Sequence, residues 1–147
     1  MNFLFDTSAI IIYLKSQFHK ELIDKKFAPL SDTNTAILSV VTLGELKSMI
    51  IRNKWGSKRV ENLEKFLNKF LITDINSKDV IDAYGEIDAF SQNKIDSKPL
   101  NMTARNMGKN DLWIAATAHV TDSTILTSDK DFQHLDKTYL SLALIEV

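Results

Sequence analysis

With 147 residues, 18 Lys plus Arg, 19 Asp plus Glu and a net charge of −1, the chain is long enough to bury a sizeable core and too nearly neutral to coat nucleic acid nonspecifically. It has no cysteine, which removes disulfides, thiolate nucleophiles and cysteine zinc sites, so a metal must be held by oxygen or histidine and a reducing cytoplasmic setting is expected. The longest uncharged run, from Thr33 to Gly44, is about half a membrane span, and no basic residue precedes the apolar Met1 to Phe5, so a soluble protein without a signal peptide is expected.

In chain order, Asn2 to Phe5 reads as a strand, Asp6-Thr7-Ser8 as a turn, and Ala9 to Leu14 as an apolar helix. A second helical piece from about His19 to Phe27 ends before Pro29, and the Ser-, Asp- and Thr-rich stretch to Thr35 reads as a loop. Ala36 to Val40 is the next strand. Thr42-Leu43-Gly44-Glu45 has the spacing of a capping box, which would let the Glu45 carboxylate reach back to the Thr42 N–H of its own helix. Gly56 and Ser57 break the chain. Val60, Leu63, Phe66, Leu67, Phe70 and Leu71 then mark one face of an amphipathic helix. Leu71 to Ile75 is a short strand candidate, and Asn76 or Ser77 caps a helix bearing Val80, Ile81, Tyr84 and Ile87, weakened by Gly85.

From Ser91 to Lys109 no apolar period is visible, a length that marks a functional or mobile loop. Asn110 or Asp111 caps the helix Leu112 to Val120, Thr124 to Leu126 is a buried strand, and Leu142 to Val147 is a last one. Strands alternating with helices predict an α/β fold, a three-layer α/β/α sandwich with a central, mainly parallel sheet. Loops at the carboxyl ends of such strands line one crevice, so Asp6, Glu45 and Asp129 share a rim, which Asp111 joins if its helix begins there.

Clustered carboxylates cannot all stay ionised without a counter-charge. An oxygen-only ligand set suits Mg²⁺ or Mn²⁺, and the chemistry such a site supplies is hydrolysis of a phosphodiester bond. Five basic residues and no acid lie between Lys47 and Val60, Arg52 and Lys54 among them, and Arg105 and Lys109 immediately precede Asp111, so these four are candidate phosphate contacts. His19, His119 and His134 lack any partner spacing and read as packed or surface imidazoles, and Trp55 and Trp113 as core or interface anchors. Asp6-Thr7-Ser8 lacks the second acid that an aspartyl phosphatase would place two residues on.

Leu4 to Ile11, Thr42 to Leu46, Asn110 to Ala118 and Leu126 to Phe132 together resemble the PIN-domain nucleases, and are most similar to the VapC toxins of toxin-antitoxin pairs. The resemblance covers nearly the whole chain, as one PIN-like domain over residues 1–147. It implies that Asp6, Glu45, Asp111 and Asp129 hold Mg²⁺ or Mn²⁺ and cut RNA, with the Ser8 and Thr127 hydroxyls in support. It also implies an RNA substrate (tRNA or another structured RNA), an antitoxin partner, a homodimer and no membrane. The family pattern favours Asp129 over Asp131 as fourth acid, leaving Asp131 to cap the next turn, and the segment between Asp88 and Gly108 exceeds the usual connection. The apolar helix Ala9 to Leu14 and the group Met49, Ile50, Ile51 and Trp55 suggest a groove for an amphipathic antitoxin segment. Two other functions fit the same residues: a PIN nuclease of RNA processing or decay, and a binding module that keeps the acids for caps and turns.

Overall fold

A computed structural model describes all 147 residues. The apolar run Asn2–Phe5 forms β1, and Asp6 ends it by capping α1 (Thr7–Lys15), its carboxylate accepting the Ala9 N–H at 3.0 Å. Ser16 closes α1 and opens α2 (Gln17–Lys26). There follow β2 (Thr35–Ser39), α3 (Val40–Arg52), α4 (Ser57–Leu67), β3 (Leu71–Thr73), α5 (Lys78–Ser91), α6 (Lys109–Val120) and β4 (Ser123–Thr127). A short 3-10 helix, Lys130–Leu135, leads to β5 (Ser141–Leu144).

The five strands form one sheet in the order β3-β2-β1-β4-β5, with every neighbouring pair parallel. β1 is central: Leu4 lies between Ile37 and Ile125. From β1 the chain steps outward to β2 and β3, then returns through α5 and α6 to β4 on the other side. That reversal opens a crevice at the carboxyl ends of β1 and β4, where Asp6 and Thr127 lie.

Side chains alternate across the sheet, and each face has its own helices. Phe3, Phe5, Leu38 and Leu126 pack with α1, α2, α3 and α4 through Ile10, Tyr13, Ile23, Leu46, Leu63 and Phe66. Leu4, Ile37 and Ile125 pack with α5, α6 and the 3-10 helix through Ile87, Phe90, Ile114, Ala115 and Phe132. Burial on both faces is why the strands read as unbroken apolar runs rather than alternating ones. No helix is long and apolar enough to cross a membrane.

Several boundaries differ from the sequence reading. α3 begins at Val40, because the buried Ser39 hydroxyl accepts the Val41 N–H at 3.1 Å and caps the helix three residues before the expected cap at Thr42. Thr42 and Glu45 therefore lie inside the helix, and no capping box forms. α4 ends at Leu67: Phe70 is buried in the turn after it, whereas Leu71 belongs to the edge strand β3 and is 57% exposed. α6 starts at Lys109 with Gly108 as N-cap, so neither Asn110 nor Asp111 caps it. Ser77 caps α5 as expected, through the Val80 N–H at 3.2 Å, and the helix continues through Gly85, whose solvent position leaves nothing to pack.

Candidate metal centre

Asp6 is buried at the switch point and receives donors from both sides of it. Ser8 donates to Oδ1 at 2.7 Å, the Ala9 N–H to the same oxygen at 3.0 Å, and the fully buried Thr127 hydroxyl to Oδ2. Burial raises the Asp6 pKa, and the hydrogen bonds from Thr127, Ser8 and Ala9 oppose the rise. Thr127 also accepts the Asp129 N–H at 2.9 Å, and Ser8 accepts the Ser128 N–H at 3.0 Å. The two hydroxyls thus tie the start of α1 to the end of β4.

Asp111, Asp129 and Asp131 place carboxylate oxygens within 4.8 Å of one another. Asp129 was the expected fourth acid and Asp131 its competitor; the structure brings both to the cluster. The capping role is reversed from expectation, since Asp129 accepts the Asp131 N–H at 2.9 Å and opens the 3-10 helix. A turn that tight was not visible in an apolar period, although Ser-Asp-Lys-Asp is rich in turn-forming residues. Asp111 lies in the first turn of α6, where the helix dipole favours its ionised form. Burial first, and then the charges of Asp129, Asp6, Asp131 and Glu45, outweigh the dipole and raise its pKa to about 6.

Glu45 is half-buried and turned away from its own helix start: Oε1 accepts the Thr7 hydroxyl at 3.0 Å. Thr7 was missed in the sequence, where only its position directly after Asp6 pointed to it. Asp6 and Glu45 lie outside the group of three and act on it through their charge on Asp111, and none of the five acids takes part in any of the chain's four ion pairs. Oxygen donors with no internal counter-charge fit a hard divalent ion.

The PIN domain family profile matches residues 3–138. The chain belongs to the PIN domain family. Its PIN fold is shared with a chain of the VapBC2 complex of Rickettsia felis bound to a promoter DNA fragment, at 22% identity and TM-score 0.74 over 99% of this chain and 100% of that one. A chain of VapBC-1 from nontypeable Haemophilus influenzae matches at 21% identity and TM-score 0.76, over 98% of each. One of VapBC-5 from Mycobacterium tuberculosis matches at 22% identity and TM-score 0.62, over 99% of this chain and 98% of that one. A comparison with curated protein sequences finds no significant match.

Around the acids of this PIN domain lie two concavities. A groove of about 600 Å³ runs between α3 and α6, lined by Thr7, Glu45, Asn110 and Trp113 and reaching Arg52. A smaller pocket of about 270 Å³ lies against Asp131 and is lined by Arg105. Of the four basic residues singled out in the sequence, Arg52 and Arg105 therefore border the site. Lys109 is exposed at the start of α6, and Lys54 is exposed in a left-handed turn (φ 50°) just past α3. The histidines are packed or peripheral: His134 bonds Ser91 at 2.7 Å and His119 bonds the Tyr139 carbonyl at 2.7 Å.

Proposed function

We propose that this PIN-domain chain is a Mg²⁺- or Mn²⁺-dependent endoribonuclease of the VapC type, the toxin of a toxin-antitoxin pair acting in the cytoplasm. The observation that carries the reading is the convergence of Asp111, Asp129 and Asp131, none of them in an ion pair, with Asp6 and Glu45 near enough for their charges to act on Asp111. Asp6, Glu45, Asp111 and Asp129 are assigned as the acids that hold the ion, with Asp131 beside them. The ion, when bound, supplies Lewis-acid chemistry, activating water and neutralising phosphodiester oxygens.

The chain's own residues do the positioning. Thr127 and Ser8 hold the Asp6 carboxylate by two hydroxyl donors, and Thr7 aims Glu45. Arg52, Lys54, Arg105 and Lys109 supply phosphate affinity to a chain whose net charge is −1. Hydrolysis through a water nucleophile leaves a 5′-phosphate and a 3′-hydroxyl.

An antitoxin partner is supported by the company the fold keeps, since its structural neighbours are chains of VapBC complexes. The surface agrees. Leu14 at the end of α1 is 37% exposed, and Phe18 and Leu22, one turn apart on α2, are 67% and 50% exposed. Beside them an apolar groove is lined by Leu22, Ile23, Phe27, Leu144 and Ile145. Of the residues expected to line a groove, Ala9, Ile10 and Tyr13 are instead buried in the core, Ile11, Ile12, Ile50 and Trp55 pack on it, and Ile51 is strongly exposed. A homodimer belongs to the same proposal.

The test is cleavage of structured RNA with Mg²⁺ or Mn²⁺ by the wild type, Asp6→Asn and Asp111→Asn. Loss of cleavage in both variants is expected. Equal cleavage by all three proteins would remove the site from contention.

A further inference from the structure

Between α5 and α6 the chain passes through residues 92–108 without helix or strand, yet it is fastened along its length. Leu100 and Met107 are buried in the α5–α6 core. The Asn93 side-chain oxygen accepts the Leu100 N–H at 3.0 Å, and the Arg105 N–H donates to the Ser91 carbonyl at 2.9 Å. The buried Ser91 hydroxyl meets Met107 Sδ at 3.4 Å and His134 Nε2 at 2.7 Å. Lys98 pairs with Glu86 at 3.2 Å. A segment with so many fixed points presents its exposed part, 101–106, as a formed lip.

Arg105 is the only cation of that lip. It makes no ion pair, and its Nε is buried with no hydrogen-bond partner. A guanidinium has five N–H donors in a planar fork, and a buried donor without an acceptor is costly. The side chain lines a pocket with Thr103, Asn106 and Asp131, and Asp131 is one of the three acids that converge on the candidate metal centre. Arg52 stands at the groove on the Glu45 side. Glu45 and Asp131 thus each share a concavity with an arginine.

We propose that Arg105 grips a backbone phosphate of the nucleic-acid strand on the Asp131 side of the acids, so that the strand lies between the 101–106 lip and the carboxylates. This rests on the nuclease reading above and adds to it a subsite built by a segment outside the sheet and helices. The ligand chemistry is a phosphate oxygen pair, which matches the fork bidentately.

The test uses the full chain in an Asp111→Asn background, with a fluorescein-labelled single-stranded oligoribonucleotide followed by anisotropy from low to physiological salt. Adding Arg105→Ala is expected to weaken binding about tenfold and to reduce the log–log salt slope by about 0.7, the share of one single-strand phosphate contact. Arg105→Lys is expected to keep the slope while losing part of the affinity, because it retains charge without the fork. Arg105→Gln, which keeps much of the stem's packing, takes the place of the alanine variant if that one melts lower. Unchanged affinity and slope at an unchanged melting temperature overturn the subsite, and the nuclease reading then stands or falls separately on Asp6→Asn. Displacement of the RNA by millimolar inorganic phosphate, with the slope unaltered by Arg105→Ala, also overturns it and marks a site for free anions.

Discussion

Asp111 is where the electrostatics of the site can be read in a single titration. Its folded pKa of about 6 lies above the ordinary 3.8, so between those values the native state binds more protons than the unfolded chain. Stability of the metal-free protein therefore falls as pH rises from about 4 to about 6, the reverse of a salt-bridged carboxylate. Thermal melts across that window are expected to show the decline, Asp111→Asn to flatten it, and Mn²⁺ at neutral pH to recover the lost stability. Thr127 makes a second residue-scale case. Thr127→Val leaves buried Asp6 without one donor and Asp129 N–H without its acceptor, at a cost of about 1–3 kcal/mol. Thr127→Ser, which keeps the hydroxyl, is expected to lose less than half of that in the same denaturant titration. Asp6 and Thr127 lie far apart along the chain, and only the parallel pairing of β1 with β4 makes them neighbours.

At the scale of elements, the start of α3 decides what Glu45 can do. A cap at Thr42 would have given Glu45 to its own helix end; the cap at Ser39 moves the helix start back and frees the carboxylate for Thr7 on α1. Ser39→Ala is expected to cost about 1 kcal/mol in a chemical melt, with metal affinity falling as Glu45 loses its fixed placement. The capping-box pattern was present in the sequence, and the competing cap was equally local. The Ser39 and Thr42 hydroxyls are both fully buried; what separates them is that β2 ends at Ser39, whose hydroxyl takes the Val41 N–H, and where a strand ends is set by its pairing in the sheet. The 3-10 helix shows the same limit, since its 6 residues are too few to display a period.

For the molecule as a whole, the exposed Leu14, Phe18 and Leu22 separate folding from the proposed assembly. Phe18→Asp with Leu22→Asp removes apolar surface that the core does not use, so the unfolding free energy is expected to stay within about 0.5 kcal/mol of wild type. Co-expression with the proposed antitoxin and gel filtration are expected to show the proposed complex lost. Retention of a full-affinity complex would place the antitoxin on another face.

The architecture was legible because its cause is periodic. Strands buried on two faces carry continuous apolar stretches, helices buried on one face repeat at 3.6 residues, and Asp6 directly follows one such strand while Asp129 lies two residues past another. These are properties of each segment's own residues, so the sequence by itself determined the elements, their alternation and the acids at the rim. What only the tertiary structure decided was convergence: Thr7 on Glu45, Asp131 beside Asp129 and Asp111, and Arg105 fastened through Ser91. Each depends on segments meeting across the sheet's edge. Charge and hydrogen-bond energies depend on distance and burial, and no local pattern of residues fixes either one.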